Sequence, residues 1–274
     1  MPNKELQNLQ NQHHHNQVHK KASNNVQNTD TNDMELVAYA APMTHDKCFD
    51  VLMNIVNNHS KGKNINVLIL GAGSGYFDQR LLDAGIKNID AIEYIPEHYK
   101  VKSTRLFSYD LNQDWAQKLL SKNGNHKYDV VIAIEVIEHL ENSFLLMREI
   151  SNILYGNKDS NNDHSVLILT TPNINNSFSR MRFLISGYLE YFGQSELLHT
   201  GHIHPIIPHI LKFNLDINNF KIINIHNNRN VWQARIKDSK GYKKVAIIAL
   251  YIIARLTIYK KEEEGEINIY EISN

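Results

Sequence analysis

The sequence predicts one α/β domain in which helices cover both faces of a seven-stranded, mostly parallel sheet with an antiparallel last strand. Three observations point to this fold class. Short apolar runs alternate with segments of helical periodicity, a glycine-rich turn follows the first apolar run, and 42% of the 274 residues are hydrophobic. A chain of this size and composition can bury a large core.

The elements follow in a regular order. A helical pattern runs from Met34 to a polar stretch at 57–62 that ends it. Strands are expected at 65–70, 88–92, 107–109, 130–134, 166–169, 220–225 and 266–272. Helices are expected at 76–84, 115–120, 144–154, 179–184, 208–215 and 243–261, and the pattern of 229–240 is ambiguous.

The first 33 residues differ in composition from the rest. Asn, Gln and His fill 17 of these positions, so the segment cannot bury enough apolar surface to order itself. We therefore expect a disordered tail over 1–33 and a folded domain over 34–274. Its triplet His13-His14-His15 could bind metal adventitiously.

Charge and cysteine content exclude several function classes. Lys+Arg and Asp+Glu number 29 each, which argues against nucleic acid as a partner. Cys48 is the only cysteine, which rules out an internal disulfide and a cysteine-based zinc site. The N-terminus lacks an apolar run, so no secretory signal is visible and a cytoplasmic location is expected.

The glycine turn predicts a nucleotide-cofactor site. An apolar strand runs into Gly71-Ala72-Gly73-Ser74-Gly75, and a helix follows. Glycines permit positive φ and close approach of a ligand, and the helix start offers unpaired N–H groups. Glu93, at the end of the second strand, is placed to accept both hydroxyls of a ribose.

Spacing favours a cofactor without a diphosphate. A dinucleotide fingerprint that started at Gly71 would need glycine at position 76, where the chain has Tyr76. A nicotinamide-dependent oxidoreductase is therefore disfavoured.

Five blocks in this order resemble class I S-adenosylmethionine-dependent methyltransferases. Besides the glycine loop they are Tyr109-Asp110-Leu111, the segment Tyr128–Leu140 that ends in Val-Ile-Glu-His-Leu, Leu169–Asn173, and Gly201-His202-Ile203-His204-Pro205 with the helix and Asn219-Phe220 after it. The resemblance covers roughly residues 45–225 and implies a Rossmann-like fold. It implies S-adenosylmethionine as cofactor, S-adenosylhomocysteine as product, and no metal.

The resemblance also implies roles for single residues. Gly71, Ala72, Gly73 and Gly75 would cradle the methionine moiety, Glu93 would hold the ribose, Asp110 and Leu111 would border the adenine, and Glu135 would start the loop under the sulfonium. One position departs from the family: an acidic residue usually stands two places before the first glycine, and this chain has Ile69. We expect this departure to leave binding ordinary or weakened. It also motivates the alternative of a non-catalytic cofactor-binding or scaffold protein.

Methyl transfer requires alignment of the reactants and removal of a proton from an O–H or N–H acceptor. His139 is the candidate base, because a neutral imidazole works near pH 7, and Glu135 is the second candidate catalytic residue. The alternative for His139 is a hydrogen bond that shapes the pocket.

Residues 174–205 exceed the minimal fold and form a substrate-side insertion. Arg182 and Tyr188 lie on it, and His202 and His204 at its end are further candidates for acceptor contact. His202 and His204 also have the spacing of a metal pair, but no acidic residue lies between Glu196 and Asp216 to complete a site. Contact with the acceptor or loop packing is the preferred interpretation.

The helix 243–261 is apolar with lysines at both ends. This pattern suits peripheral contact with the inner membrane surface or a lipid-linked acceptor, and equally packing on the sheet or a homodimer interface. Its resemblance to methyltransferases of glycans, lipids and quinones implies O-methylation of a small-molecule, sugar or lipid-linked hydroxyl. The alternative within the class is a carboxyl methyltransferase that acts on an acyl-carrier substrate.

Overall fold

A computed structural model describes residues 36–155, 164–257 and 263–274. The predicted tail 1–33 and the end of the predicted apolar helix, 258–261, lie outside the described residues.

Seven strands form one sheet in the order β3-β2-β1-β4-β5-β7-β6. The strands are β1 Val67–Leu70, β2 Ile89–Ile92, β3 Arg105–Phe107, β4 Val130–Ala133, β5 Val166–Pro172, β6 Lys221–Asn227 and β7 Ile267–Ser273. Neighbouring strands are parallel from β3 through β5, and β7 is antiparallel to both β5 and β6. The predicted fold class, including the antiparallel last strand, is confirmed.

Nine α-helices lie within the described residues. They are α1 Pro42–Asn58, α2 Tyr76–Asp83, α3 Ala116–Asn123, α4 Ser143–Ile153, α5 Ser177–Ser186, α6 Gln194–His199, α7 Pro208–Ile217, α8 Val231–Asp238 and α9 Gly241–Thr257. The ambiguous segment 229–240 thus contains a helix, and α6 was not predicted. Among the described residues, no helix combines the length and apolarity that a bilayer crossing needs.

The core has two halves because the strands are apolar on both faces. Leu68 and Leu70 of β1 pack in one cluster, which contains Leu119 of α3 and Leu146 of α4. Val67 and Ile69 point to the other face and pack with α1 and α2. This alternation places helices on both sides of the sheet.

The first helix and the third strand begin at positions other than those predicted. The helix predicted from Met34 begins at Pro42, and residues 36–41 are not helical. Proline suits the first helical turn and disfavours helix in the residue before it, so the chain before Pro42 is extended. The third strand lies two residues earlier than expected, because Asp90 of β2 pairs with Arg105 and Ile92 with Phe107.

Candidate active site

The candidate site lies at the carboxyl edge of the parallel strands. β1 and β4 are neighbours at the centre of the sheet, and the chain runs outward from them in opposite directions. Loops after β1 and β4 therefore diverge and leave a crevice between them, which is where open α/β sheets bind ligands.

All three predicted glycines of the loop have positive φ: +64° at Gly71, +58° at Gly73 and +86° at Gly75. Close contacts restrict these positions as well. A Cβ on Gly71 would lie 2.7 Å from Val136 Cγ2, and one on Gly75 would lie 2.5 Å from Val101 Cγ2. Glycine is therefore required here both for the backbone conformation and for space. Ala72 lies between them, with its N–H bonded to the carbonyl of Ile92 at 3.1 Å.

Glu93 lies where the sequence predicts, directly after β2 and facing the glycine loop. Its Oε2 accepts a hydrogen bond of 2.8 Å from the N–H of Gly73, and its Oε1 accepts one of 3.1 Å from the N–H of Ile95. The carboxylate thus connects the ends of β1 and β2.

An extended segment, residues 36–41, crosses the glycine loop and was not predicted from the sequence. The N–H of Val37 donates to Ser74 Oγ at 3.0 Å, and that hydroxyl donates to the carbonyl of Val37 at 2.7 Å. The ring of Tyr39 lies so near Gly73 that a Cβ there would be 2.6 Å from Tyr39 Cδ2. Burial, followed by the charge of Glu93, raises the pKa of Tyr39. Pro42, which fixes the helix start, is the sequence signal that could have revealed this segment.

The predicted adenine-side residues follow β3. Leu111 is buried, and Asp110 Oδ1 accepts a hydrogen bond of 2.9 Å from the N–H of Asn112. This local bond orients the Asp110 side chain at the same edge as Glu93.

Glu135 follows β4 with φ of +52°, an uncommon conformation for a residue other than glycine. Its N–H donates to Thr170 Oγ1 at 2.8 Å, which ties the loop after β4 to β5. Burial raises the pKa of the Glu135 carboxyl to about 7, despite a hydrogen bond from Thr44 that lowers it. A carboxyl with such a pKa can exchange a proton near neutral pH.

The sequence did not single out Glu138, which is completely buried in the same loop. Neither of its carboxylate oxygens has a well-formed hydrogen bond to a described residue. Burial, and then the charge of Glu135, raise the pKa of Glu138 well above its usual range, and the nearby Thr171 hydroxyl offsets only part of this shift. A buried carboxyl with so little compensation is costly, so its presence points to a function.

The predicted base His139 and the predicted acceptor residue His202 lie together. Their ring centroids are 4.9 Å apart and nearly perpendicular. Nδ1 of His139 is 3.1 Å from the carbonyl of Gly201, and Nδ1 of His202 is 2.9 Å from that of Tyr191. Burial lowers the pKa of His202.

Backbone hydrogen bonds hold the loop 201–205, here called the histidine loop, against the loop after β4. The N–H groups of Ile203 and His204 both donate to the carbonyl of Glu138, at 3.1 and 3.0 Å. His204 Nδ1 lies 3.2 Å from the carbonyl of Leu140. His202 and His204 thus have different carbonyl partners.

Arg182 and Tyr188 are the predicted acceptor residues on the insertion. Arg182 Nη1 forms a 2.6 Å ion pair with Glu190, and Tyr188 is 48% exposed after the end of α5. Their predicted contact with the acceptor remains a prediction.

A buried ionic network, also missed, anchors the insertion. Glu266, at the start of β7 and 2% exposed, accepts hydrogen bonds from Arg229, Arg235 and Tyr191. Arg235 also pairs with Glu190 at 2.7 Å. Since His202 is hydrogen-bonded to the carbonyl of Tyr191, the network is connected to the pair of His139 and His202. Glu190 and Glu266 are 76 positions apart in the sequence. Only the folded structure therefore reveals the network.

One protein-family model matches the chain: a methyltransferase domain, over residues 68–157. This span runs from β1 to just beyond α4 and contains the glycine loop, Glu93, Asp110 and Glu135–His139. No curated protein matches the chain.

Solved structures of methyltransferases share the fold. An S-adenosylmethionine-dependent methyltransferase from Archaeoglobus fulgidus is 18% identical, with a TM-score of 0.52 over 84% of this chain and 93% of its own. The plantazolicin methyltransferase BpumL, solved with a desmethyl-plantazolicin analog and S-adenosylhomocysteine, is 14% identical, with a TM-score of 0.51 over 85% and 86%. A methyltransferase in complex with the Trm112 activator of Haloferax volcanii is 11% identical, with a TM-score of 0.50 over 84% and 91%.

Proposed function

We propose that this chain is a class I S-adenosylmethionine-dependent methyltransferase and that it methylates a hydroxyl group of a sugar or lipid-linked acceptor at a membrane surface. The cofactor follows from the class, and the chain's own residues fit it. The glycine loop has the positive φ values that let a backbone approach a ligand closely, and the Glu93 carboxylate lies beside it at the end of β2. S-adenosylmethionine supplies an electrophilic methyl group on a sulfonium, a good leaving group.

The residues have separate tasks in this transfer. The glycine loop, Glu93, Asp110 and Leu111 bind and orient the cofactor, and Glu135 lies at the base of the site. In the reaction the acceptor oxygen forms a bond to the methyl carbon, the sulfur–carbon bond breaks, and the hydroxyl proton leaves. The proposed proton acceptor is His139, whose ring faces His202.

One observation supports a lipid-linked acceptor: α5 and α9 carry several exposed apolar side chains. α5 begins five residues after β5 ends, so it starts at the edge of the sheet that holds the glycine loop. Leu184 is 79% exposed, and Leu256 on α9 is 80% exposed. Further exposed apolar residues on these helices are Phe183, Ile185, Val245, Ile252 and Ile253. Exposed apolar patches of this kind mark interaction surfaces.

The partner's chemistry follows from the charges beside this apolar surface. α9 packs on α5 and α8 through Ala254 and Tyr251, with Trp232 between them, so only one of its faces is covered. Lys237, Lys240, Lys243 and Lys244 are exposed near the start of α9, against a single neighbouring acid, Asp238. Lysines beside exposed apolar side chains suit an anionic lipid surface.

Sedimentation with vesicles tests the membrane surface. The parent chain should pellet with phosphatidylglycerol vesicles and less with phosphatidylcholine vesicles. The variant Val245→Ser/Ile252→Ser/Leu256→Ser should remain in the supernatant, because these side chains are exposed and contribute little to folding. The control Phe213→Ser/Ile217→Ser removes equally exposed apolar side chains from α7 and should pellet like the parent. Equal pelleting of all three proteins would remove the membrane from the proposal.

Labelled S-adenosylmethionine and an envelope lipid extract test the chemistry. The labelled methyl group should enter the organic phase and resist mild alkali, because a methyl ether is stable under conditions that hydrolyse a methyl ester. Alkali-labile label would establish the carboxyl methyltransferase instead. Label confined to water-soluble products would exclude a lipid-linked acceptor.

A further inference from the structure

We propose that Glu138, His139 and His202 bind a divalent transition-metal ion such as Zn²⁺ beside the cofactor site. One ligand atom from each of these three residues lies within 4.8 Å of the other two. Methyl transfer itself needs no metal, so the inference concerns how the acceptor is held and activated.

Glu138 is the main support for this site, because the burial of its carboxylate is otherwise poorly compensated. The side chain is 0% exposed, and neither oxygen has a well-formed hydrogen bond to a described residue. Buried carboxylates occur paired with cations or coordinated to metals. Within the described residues, no lysine or arginine forms an ion pair with Glu138, whereas two imidazoles lie beside it. A cation bound at this point would compensate the charge.

Hydrogen bonds to backbone carbonyls fix the tautomer of both histidines. A carbonyl oxygen only accepts hydrogen bonds, so the Nδ1 atoms of His139 and His202 donate to Gly201 and Tyr191. In the neutral ring the lone pair then resides on Nε2, which is the nitrogen that coordinates a metal in this tautomer. Metal-bound histidines commonly donate their other N–H to a backbone carbonyl, which fixes the ring orientation.

The ligand set indicates which metal fits. Two imidazoles and one carboxylate suit Zn²⁺ and neighbouring first-row ions, whereas Mg²⁺ and Ca²⁺ prefer oxygen ligands alone. Zinc bonds of about 2.1 Å in tetrahedral geometry bring ligand atoms to about 3.4 Å from one another, so ligand atoms that now lie within 4.8 Å would approach by at most about 1.4 Å. Three protein ligands leave a fourth position open.

The open position defines a role in the reaction. A hydroxyl bound there through its oxygen would have a lower pKa and would release its proton to solvent water more readily, since a cation stabilises the alkoxide. This role rests on the proposed transfer to a hydroxyl, whereas cation binding does not. The Nε2 of His139 cannot bind a metal and accept a proton at once, so in the metal-bound state His139 is a ligand and not the base.

Zinc binding by the full-length chain tests the site. The variant His13→Ala/His14→Ala/His15→Ala serves as the background, because three adjacent histidines bind metal adventitiously. Competition with a chromogenic zinc chelator should show one bound Zn²⁺. Glu138→Gln and His202→Ala in this background should weaken binding at least tenfold. His126→Ala, at the opposite edge of the sheet, should have no effect.

Thermal unfolding provides a readout that a structural role alone would not give. Zn²⁺ at one hundred times its Kd should raise the Tm of the background protein by about 5–10 °C. Glu138→Gln keeps the side-chain shape without the charge, so it should unfold no earlier than the background without zinc and should gain nothing from zinc. A background protein without bound zinc, or a Glu138→Gln variant with unchanged affinity, would overturn the site.

S-adenosylhomocysteine calorimetry separates this inference from the proposed function. A chain that binds S-adenosylhomocysteine but not zinc would retain the methyltransferase proposal and lose the cation site. A chain that binds zinc at Glu138 but transfers no methyl to any hydroxyl would retain the cation site and lose the proposed acceptor.

Discussion

The backbone N–H of Gly73 donates a 2.8 Å hydrogen bond to the carboxylate of Glu93. This bond connects the loop after β1 to the end of β2, at the edge of the sheet where we propose that the cofactor binds. In that proposal Glu93 has two roles, since it orders the glycine loop and would offer a charged acceptor to the ribose hydroxyls.

Glu93→Ala should weaken binding of S-adenosylhomocysteine about ten- to a hundredfold. Hydrogen bonds to a charged group contribute about 1.5–3 kcal/mol, and this variant removes them from the cofactor and from the loop. Calorimetry measures the effect. Glu93→Asp, which keeps the charge on a shorter side chain, should lose less, and affinity unchanged in Glu93→Ala would refute the assignment.

Gly73→Ala should lower both the Tm and the affinity for S-adenosylhomocysteine. The new methyl group would meet Tyr39 at 2.6 Å, and φ of +58° strains a residue with a Cβ by roughly 1–2 kcal/mol. The double variant Gly73→Ala/Tyr39→Ala separates the two causes. It should recover the part of the loss that the clash produces and retain the part caused by φ. Full recovery would show that backbone strain contributes nothing at this position.

The fold could be predicted from the sequence because its signals are local. Apolar runs such as Val67–Leu70 are buried on both faces, and the glycines that follow have the positive φ that the pattern requires. Glu93 and Asp110 could be placed because carboxyl ends of parallel strands share one edge. Position 69 is part of the core in this chain, because Ile69 is 3% exposed and packs in the cluster with α1 and α2.

The rest of the site could not be predicted because it depends on contacts between distant segments. The backbone carbonyl of Glu138 accepts hydrogen bonds from Ile203 and His204, and Tyr39, which precedes the helix that begins at Pro42, contacts Gly73. The sequence also could not show whether α9 is exposed, since an apolar helix can face the sheet, a second copy of the chain or a membrane. Hydrophobicity alone does not distinguish these surroundings.

Asp78→Asn should abolish a pH dependence of stability. Asp78 is buried in the first turn of α2, and its Oδ1 accepts a 2.6 Å hydrogen bond from the Tyr99 hydroxyl. Burial raises its pKa from 3.8 to about 6. Between these values the folded protein keeps a proton that the unfolded chain has lost, so stability falls as pH rises from about 4 to 6.

The size of this effect is up to about 3 kcal/mol, from about 1.4 kcal/mol per pKa unit. The amide that replaces the Asp78 carboxyl in the variant cannot ionise, and its oxygen still accepts the hydrogen bond from Tyr99. Urea unfolding at a series of pH values gives the stability of the variant minus that of the parent. This difference should rise from pH 4 to 6 and be level above 7. A flat difference curve would mean that Asp78 ionises normally.

Glu266→Gln should destabilise the chain by about 3–5 kcal/mol, the usual result of removing one partner from a buried ion pair. The change leaves Arg229 and Arg235 without the carboxylate that both contact, and it loosens Tyr191, whose carbonyl orients His202. Asp216→Asn is the matched control, because it breaks the exposed pair of Asp216 with Lys212 on α7 and should cost under about 0.5 kcal/mol. Urea unfolding at pH 7 measures both free energies of unfolding. If the two variants lost equal stability, the network around Glu266 would be no stronger than a surface pair and could not hold the insertion against the histidine loop.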